Sequence, residues 1–152
     1  MFVCTGNICR SPLGHALLQN LVDQRGLSDH FFIESSGLSA YHVGEEADSR
    51  MRATAARHGA GFSHYSRKFY PEDLKTYDLV LAMDQTHFAD LENLSRQFQG
   101  TAEIRMFRDD DPEGPGDVPD PWYGGAKGFE TVYEMVNRTC GSLLEEVLGR
   151  IS

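Results

Sequence analysis

Apolar residues follow two different spacings along this chain, and the two spacings alternate from one end to the other. Residues 79–83 form an unbroken apolar run, which is typical of a central strand covered on both faces. Between residues 12 and 25, apolar side chains recur at intervals of three and four, which predicts an amphipathic helix. The same criteria predict strands at residues 2–3, 31–33, 77–83 and 104–107, and helices at residues 12–25, 47–58, 71–75, 85–99 and 129–151.

This alternation predicts a parallel sheet. A strand, a helix and a second strand in succession give both strands the same direction, because the helix returns the chain across the sheet. We therefore expect one doubly wound α/β domain over residues 1–152, with about four parallel strands and helices on both faces. Ligands of such folds bind at the carboxyl ends of the strands, and Cys4 lies at one of these ends.

Composition and charge exclude several classes of function. A formal net charge of −9 disfavours binding to nucleic acid or to an anionic membrane. No apolar run approaches the roughly 20 residues of a membrane span, and the N-terminus does not resemble a signal peptide. The 3 cysteines do not suit a disulfide scaffold, and the 6 histidines show no metal-ligand spacing. These features predict a cytoplasmic protein without a metal site.

The stretch from Cys4 to Pro12, with the sequence CTGNICRSP, predicts a phosphate-binding loop after the first strand. Gly6 and Asn7 are the residue types that most easily take positive φ, and Ser11-Pro12 is typical of a helix start. Such a loop turns backbone N–H groups inward at the positive end of a helix, which makes a cradle for an anion.

Three side chains of this loop indicate attack on phosphorus. Cysteine reacts as its thiolate, and helix N-termini and nearby cations favour that form. Cys4 is therefore expected to be an ionised nucleophile, with Ser11 donating a hydrogen bond to its sulfur. Arg10 can hold two phosphate oxygens at once, which a lysine cannot copy.

The leaving group needs a proton, and the acidic loop at residues 109–125 supplies the candidate acid. Within it, Asp120 is followed by Pro121, Trp122 and Tyr123, so the two aromatic rings are placed to cover an aryl leaving group. Asp117, the aspartates at 109–111 and partial burial would keep Asp120 protonated. After the first step, the ionised Asp120 would activate the water that attacks the thiophosphate.

Together these stretches closely resemble the low-molecular-weight protein tyrosine phosphatases, over essentially the whole chain. The resemblance is carried by residues 2–12 and 120–123, with further similarity at 36–37, 43–44, 58–59, 64, 83–84 and 129–133. It implies a phosphomonoesterase without metal or cofactor that forms a cysteinyl-phosphate intermediate. The implied partners are phosphotyrosine proteins or small aryl phosphates, with inorganic phosphate as product and inhibitor, and the protein would be a monomer or a weak dimer.

The resemblance also implies roles for individual residues. Cys4 would be the nucleophile, Arg10 would stabilise the transition state and Asp120 would be the acid. The remaining sets are the loop residues around the phosphate (Thr5, Gly6, Asn7, Ile8, Cys9), the pocket walls (Tyr41, Trp122, Tyr123) and the residues through which Asn7 braces the loop (Ser36, His64). Cys9 matches a family cysteine that protects the nucleophile as a reversible disulfide, although it could also simply pack inside the loop.

Two residues depart from the pattern, and three other functions compete with it. Thr5 replaces the leucine of many relatives and Tyr41 the tryptophan of some, so the sequence leaves substrate preference open. An arsenate reductase on this scaffold needs further cysteines, whereas Cys140 stands alone on the last helix. Arginine phosphatases place threonine where this chain has Ile8. A non-catalytic phosphopeptide-binding module would not need Cys4, Arg10 and Asp120 together.

Overall fold

A four-stranded parallel sheet forms the centre of the computed structural model, which describes residues 1–151 except the side chain of Tyr123. The strands are β1 (Phe2–Cys4), β2 (Ser35–Gly37), β3 (Leu79–Ala82) and β4 (Glu103–Met106), in the spatial order β2-β1-β3-β4. The helices are α1 (Arg10–Gln24), α2 (Ser49–Arg57), α3 (Asp73–Thr76), α4 (Gln85–Phe98) and α5 (Gly125–Ile151). The predicted doubly wound α/β class is confirmed.

Helices cover both faces of the sheet because neighbouring strand residues point to opposite sides. Phe2 and Leu81 pack with the apolar faces of α1, α2 and α5. Val3 and Val80 pack on the other side, with α3 and α4. β3 is therefore buried on both faces, as its unbroken apolar run predicts. Among the residues described, no helix is both long and apolar enough to cross a bilayer.

The second strand is not where its apolar run predicts it. The prediction was residues 31–33, but β2 is Ser35–Gly37, which pairs with β1 from Phe2↔Ser35 to Cys4↔Gly37. Phe32 is 73% exposed and stacks on Tyr77 instead. Small residues form β2 because the loop after β1 packs directly against this strand, a tertiary requirement that hydrophobicity does not reveal.

Helix α1 begins two residues earlier than predicted, and this changes what Ser11 does. Pro12 is its third residue rather than its first, a position that still lacks an intrahelical N–H partner. The cap position is Cys9, and no side chain caps the helix there. The hydroxyl of Ser11 is consequently free to turn towards Cys4.

Candidate active site

The loop between Cys4 and Arg10 is held at the carboxyl end of β1 by close contact with β2. A Cβ on Gly37 would lie 2.9 Å from the carbonyl oxygen of Thr5 and 3.0 Å from the backbone nitrogen of Asn7, so only glycine permits this approach. Asn7 has φ of 57°, the left-handed conformation that the sequence predicts for it. Gly6 does not have positive φ, but a Cβ there would meet the ring of His42 at 2.8 Å.

Three carbonyl groups of this loop accept hydrogen bonds from the surrounding protein. Thr5 O accepts from the backbone N–H of Ser39 at 2.8 Å and Ile8 O accepts from that of Asp48 at 2.7 Å. Asn7 O accepts from the Ser66 hydroxyl at 2.6 Å. Within residues 1–151, the backbone N–H groups of residues 5–9 donate no hydrogen bond to the protein. A loop whose carbonyls are bonded to its surroundings leaves its N–H groups available to an anion.

A chain of hydrogen bonds runs from behind the loop to the sulfur of Cys4. Asn7 Oδ1 accepts from the backbone N–H of Arg67 at 2.9 Å and lies 2.8 Å from His64 Nε2, which fixes the orientation of the amide. Its Nδ2 therefore donates to Ser11 Oγ, at 2.8 Å. Because Ser11 Oγ already accepts there, its own proton is free for Cys4 Sγ, 2.9 Å away. Asn7 and Ser11 are fully buried, so the chain is shielded from water.

The structure differs from the predicted network at Ser36. The side chain of Ser36 donates to the sulfur of Met1 at 3.2 Å, and only its carbonyl faces Ser11, at 3.5 Å. Strand alternation turns the neighbouring Ser35 towards the loop instead, with Oγ 3.4 Å from His64 Nε2. His64 is in the predicted place, whereas the hydroxyl beside it belongs to Ser35.

His15 and His64 form a neutral pair behind the loop. Their rings meet edge to face with centroids 5.8 Å apart, and His15 Nδ1 lies 3.3 Å from Ser35 Oγ. Burial lowers the pKa of His64. Burial, and then the charge that His64 would carry, lower the pKa of His15 from 6.5 to about 4. Both rings therefore remain uncharged near neutral pH, and His64 can donate Nε2–H to Asn7.

Replacing His15 by glutamine is expected to make the stability of the protein less sensitive to acid. The unfolded chain takes up a proton at His15 near pH 6.5, whereas the folded chain does so only near pH 4. Stability that is complete above pH 6.5 is thus lost as the pH falls through this window, by at most about 3 kcal/mol from this group. Urea midpoints measured between pH 7.5 and 4.5 test the prediction, with His30→Gln, at an exposed histidine, as control. Equal acid sensitivity in the parent and His15→Gln would contradict it.

Arg10 is oriented by two acceptors from other parts of the chain. Its Nη1 donates to Asp84 Oδ2 and to the carbonyl of Val118, both at 2.9 Å, and the residue is buried. Asp84 follows β3 and caps α4, accepting from the backbone N–H of His87 at 2.9 Å. Burial disfavours the charged Asp84, but hydrogen bonds from His87 and Arg10 outweigh it and lower its pKa. Arg10 therefore enters the site with a fixed direction and a charged partner.

Thr5 also contacts the N-terminus of α4. Its Oγ1 lies 2.8 Å from Nε2 of His87, a histidine that is almost fully buried and whose pKa burial lowers. Nδ1 of His87 lies 3.3 Å from Asp84 Oδ1, outside hydrogen-bonding geometry. A proton on Nδ1 would face the carboxylate favourably, so Thr5 donates to Nε2 in the favoured tautomer. The polar residue at this pocket wall thus has a protein partner.

A cavity of about 360 Å³ opens above the loop and brings the predicted groups together. Its lining includes the predicted residues Cys4, Thr5, Gly6, Ile8, Cys9, Arg10, Tyr41, Asp120 and Trp122, together with Ser39 and His42. Asp120 comes from the acidic loop, so residues far apart in sequence share one pocket. The cavity combines an anion cradle, a thiol, a guanidinium and a carboxyl group.

The aromatic walls of this cavity are only partly packed against the protein. Tyr41 is 84% exposed and stands edge-on to His42, with centroids 4.8 Å apart. Trp122 is 44% exposed, and the Arg50 guanidinium lies 4.9 Å from the centroid of its ring. The side chain of Tyr123, the third predicted wall, lies outside the described residues. Tyr41 and Trp122 thus keep part of their ring surface free at the rim of the cavity.

Asp120 is exposed, which contradicts the expectation that partial burial keeps it protonated. Its Oδ1 accepts from the backbone N–H of Trp122 at 3.0 Å, which begins the turn at Pro121–Tyr123. The backbone contact with Trp122, rather than burial, is what fixes this carboxyl group in the structure.

The three cysteines are free and buried. Burial, and then the neighbouring Cys4, raise the pKa of the Cys9 thiol. Burial likewise raises the pKa of Cys140, whose thiol lies 3.7 Å from the carbonyl of Gly14 inside the core, where the helical pattern places it. Among the residues that the structure describes, no group of three or more potential ligands is placed to hold a metal ion.

Sequence reasoning missed several residues of the site: Ser35, Ser39, His42, Asp84, His87 and Val118. A signal for Asp84 is present, because it follows β3, and the carboxyl ends of parallel strands meet at one edge of the sheet. The side chain of His87 and the carbonyl of Val118 contribute through tertiary contacts, for which no local pattern exists.

Solved structures with this fold identify the class of protein. A protein tyrosine phosphatase from Entamoeba histolytica superposes with a TM-score of 0.91 at 32% identity, covering 99% of this chain and 97% of its own. A Drosophila arginine phosphatase gives a TM-score of 0.89 at 29% identity, covering 96% and 95%. The fold is thus that of a small α/β phosphatase.

Sequence comparison narrows the class to a family. The description "Low molecular weight phosphotyrosine protein phosphatase" belongs to the family profile that matches residues 1–150. A low molecular weight protein-tyrosine-phosphatase of Streptomyces coelicolor is 42% identical, over 98% of this chain and 95% of its own. The chain therefore belongs to the low molecular weight phosphotyrosine protein phosphatase family, whose members are metal-independent hydrolases. The predicted family, fold and enzyme class are confirmed.

Proposed function

We propose that this enzyme hydrolyses phosphotyrosine and related aryl phosphates through a phosphate ester of Cys4. The observation that carries the proposal is the pocket itself, in which Cys4 lies at the loop, Arg10 beside it and Asp120 at the rim. The hydrogen-bond chain from Asn7 through Ser11 directs a proton towards the sulfur, which stabilises a thiolate there.

In the first step the thiolate of Cys4 attacks phosphorus and the bond from phosphorus to the aryl oxygen breaks. Asp120 gives its proton to that oxygen, so the leaving group departs as a neutral phenol. The free N–H groups of the loop and the Arg10 guanidinium bind the equatorial oxygens, where charge is spread in the transition state. Ile8, Tyr41 and Trp122 contact the aromatic ring.

In the second step water attacks the phosphorus of the cysteinyl phosphate. Asp120, now a carboxylate, takes the proton of the water, and the sulfur–phosphorus bond breaks. Inorganic phosphate and the thiolate are released, and Ser11 stabilises the sulfur again as it leaves. Inorganic phosphate is therefore both product and competitive inhibitor. Given its free cysteines, we place this chemistry in the cytoplasm. The enzyme would act as one domain, as a monomer or a weak dimer.

A comparison of kcat/KM between two classes of substrate tests the proposal. With a chelator present, the enzyme should turn over para-nitrophenyl phosphate, and a phosphotyrosine peptide should give a kcat/KM at least about tenfold above that of the matched phosphoarginine peptide. The expected preference follows from the apolar wall at Ile8 and the rings at the rim. A preference for phosphoarginine would overturn the assignment of substrate, and dependence on added metal would overturn the mechanism.

Reversible oxidation is the second property we propose for this site. Peroxide would oxidise the Cys4 thiolate to a sulfenic acid, and the Cys9 thiol would attack that sulfur, releasing water and forming a disulfide. Peroxide-treated enzyme should thus recover its activity with dithiothreitol, whereas in Cys9→Ser a second peroxide would oxidise the sulfenic acid to a sulfinic acid, and activity should be lost irreversibly. Cys140→Ser is the control, because Cys140 lies in the core. Full recovery of Cys9→Ser would show that Cys9 has no protective role.

A further inference from the structure

Each nitrogen of the Arg108 guanidinium donates a hydrogen bond to the acidic loop at residues 109–125. It follows β4, and its side chain is only 15% exposed. Nε donates to Asp111 Oδ2 at 2.8 Å, Nη1 to the carbonyl of Asp117 at 2.9 Å and Nη2 to the carbonyl of Gly114 at 3.0 Å. One rigid, planar group therefore fixes three separate points of the loop.

Asp111 anchors this arginine to the body of the protein. Its side chain is fully buried, and besides Arg108 it accepts from Arg138 Nε at 2.9 Å and Nη2 at 3.1 Å, and from the N–H of Glu113 at 2.9 Å. Burial opposes its charge, but the hydrogen bonds from Arg138, Glu113 and Arg108 lower its pKa to about 2. Arg138 lies on α5, so the loop is fastened to the longest helix.

The backbone of the loop is shaped around the guanidinium. Gly116 has φ of 146°, and a Cβ on it would lie 3.1 Å from Nη1 of Arg108. Gly114 also has positive φ, at 117°, where its carbonyl accepts from Nη2. Glycine at these two positions lets the chain curl tightly around a flat group.

The far end of this braced segment leads directly to the site. Asp117 accepts from the N–H of Gln85 at 3.0 Å, at the start of α4. Val118, which is fully buried, donates to the carbonyl of Met83 at 2.7 Å and accepts from Arg10 at 2.9 Å. Asp120 follows two residues later. Together with these two anchors, the shape that Arg108 imposes on 111–117 sets where the chain arrives at the phosphate cradle.

A purely stabilising role explains this arrangement poorly. Buried ion pairs contribute little net stability compared with apolar groups of similar size, because both charges lose their hydration. What three simultaneous hydrogen bonds from one planar group contribute is a defined loop conformation. An exposed acid such as Asp120 depends on that conformation, since it lacks packing of its own to hold it over a substrate.

We infer that Arg108 is a positioning residue, which holds Asp120 at the distance needed to protonate the leaving group. The inference rests on the proposed function, in which Asp120 is the general acid. Displacement of Asp120 should slow only those reactions that need its proton. An aryl phosphate with a good leaving group, such as para-nitrophenyl phosphate, needs little help, whereas phenyl phosphate needs the acid.

Arg108→Lys tests this inference, because one ammonium group keeps the charge but cannot reach three acceptors in a plane. We expect kcat/KM for phenyl phosphate to fall about 10-fold to 100-fold, the usual cost of a small misplacement. For para-nitrophenyl phosphate it should fall by less than about threefold, and vanadate affinity should be unchanged, since Asp84 still holds the Arg10 guanidinium. Arg150→Lys, which alters an arginine paired with Glu103 and Glu146 elsewhere, is the matched control and should leave both substrates unaffected.

Equal losses with both substrates, or no loss with either, would overturn the inference. Asp120→Asn in the same assay distinguishes a failure of the inference about Arg108 from a failure of the proposed function. If Asp120→Asn discriminates between the substrates and Arg108→Lys does not, only the inference fails; if Asp120→Asn does not discriminate, the assignment of the acid fails. Should Arg108→Lys not fold, Gly116→Ala disturbs the same contact from the loop side. Its losses of kcat/KM for phenyl phosphate and for para-nitrophenyl phosphate are then compared in the same way.

Discussion

Cys4→Ser is expected to abolish turnover while leaving phosphate binding intact. An alcohol is far less ionised than a thiol near neutral pH, and Ser11, the group beside Cys4, donates a proton rather than removing one. Loss of a catalytic nucleophile costs roughly a factor of 10⁴ or more in kcat. Binding should persist, because the loop N–H groups and Arg10 hold the anion and the repulsion between sulfur and phosphate is gone.

Two measurements on one preparation test this prediction. Turnover of para-nitrophenyl phosphate gives the loss of rate, and calorimetric titration with inorganic phosphate gives the affinity. Cys140→Ser is the matched control, because its new hydroxyl can donate to the carbonyl of Gly14, which lies beside the thiol in the parent. Turnover by Cys4→Ser above about 1% of the parent rate would show that another group attacks phosphorus.

Asp120→Asn is expected to give the second largest effect, and one that depends on the leaving group. The amide cannot donate a proton as an acid, but its oxygen can still accept from the N–H of Trp122, so the turn should survive. General acid catalysis contributes about 10²–10⁴ to rate, so kcat/KM for phenyl phosphate should fall by roughly a factor of 10² or more. For para-nitrophenyl phosphate the fall in kcat/KM should be small.

A plot of log kcat/KM against the pKa of the leaving phenol measures this difference. The parent should give a shallow slope and Asp120→Asn a steep negative one. Asp109→Asn provides the control, because Asp109 is an exposed carboxylate of the same region outside the pocket. Parallel lines for the parent and Asp120→Asn would assign the acid to another residue.

The sheet and the loop from Cys4 to Arg10 at its edge could be predicted because they depend on local patterns. β3 is an unbroken apolar run, α1 has a clear apolar face, and alternation of the two specifies a parallel sheet. The loop from Cys4 to Arg10 has its own sequence signature. Asn7, for example, takes the positive φ that its residue type favours.

The parts that escaped prediction depend on tertiary contacts. β2 consists of two serines and a glycine because the loop packs so closely on Gly37 that a Cβ there would lie 2.9 Å from the Thr5 carbonyl oxygen, a constraint that overrides hydrophobicity. Ser35 replaces Ser36 in the network because strand pairing determines which face each serine occupies. Arg108 has no motif at all, since its three acceptors lie along an irregular loop.

The central claim is that phosphate is transferred to Cys4, and trapping that intermediate tests it most directly. In Asp120→Ala the second step loses its base, so para-nitrophenyl phosphate should load the enzyme faster than water unloads it. Rapid quenching followed by mass spectrometry of the peptide that contains residues 1–10 should then show one phosphate on Cys4 and none in the Cys4→Ser variant. Enzyme that turns over without phosphate on Cys4, or with phosphate on a histidine, would contradict the account.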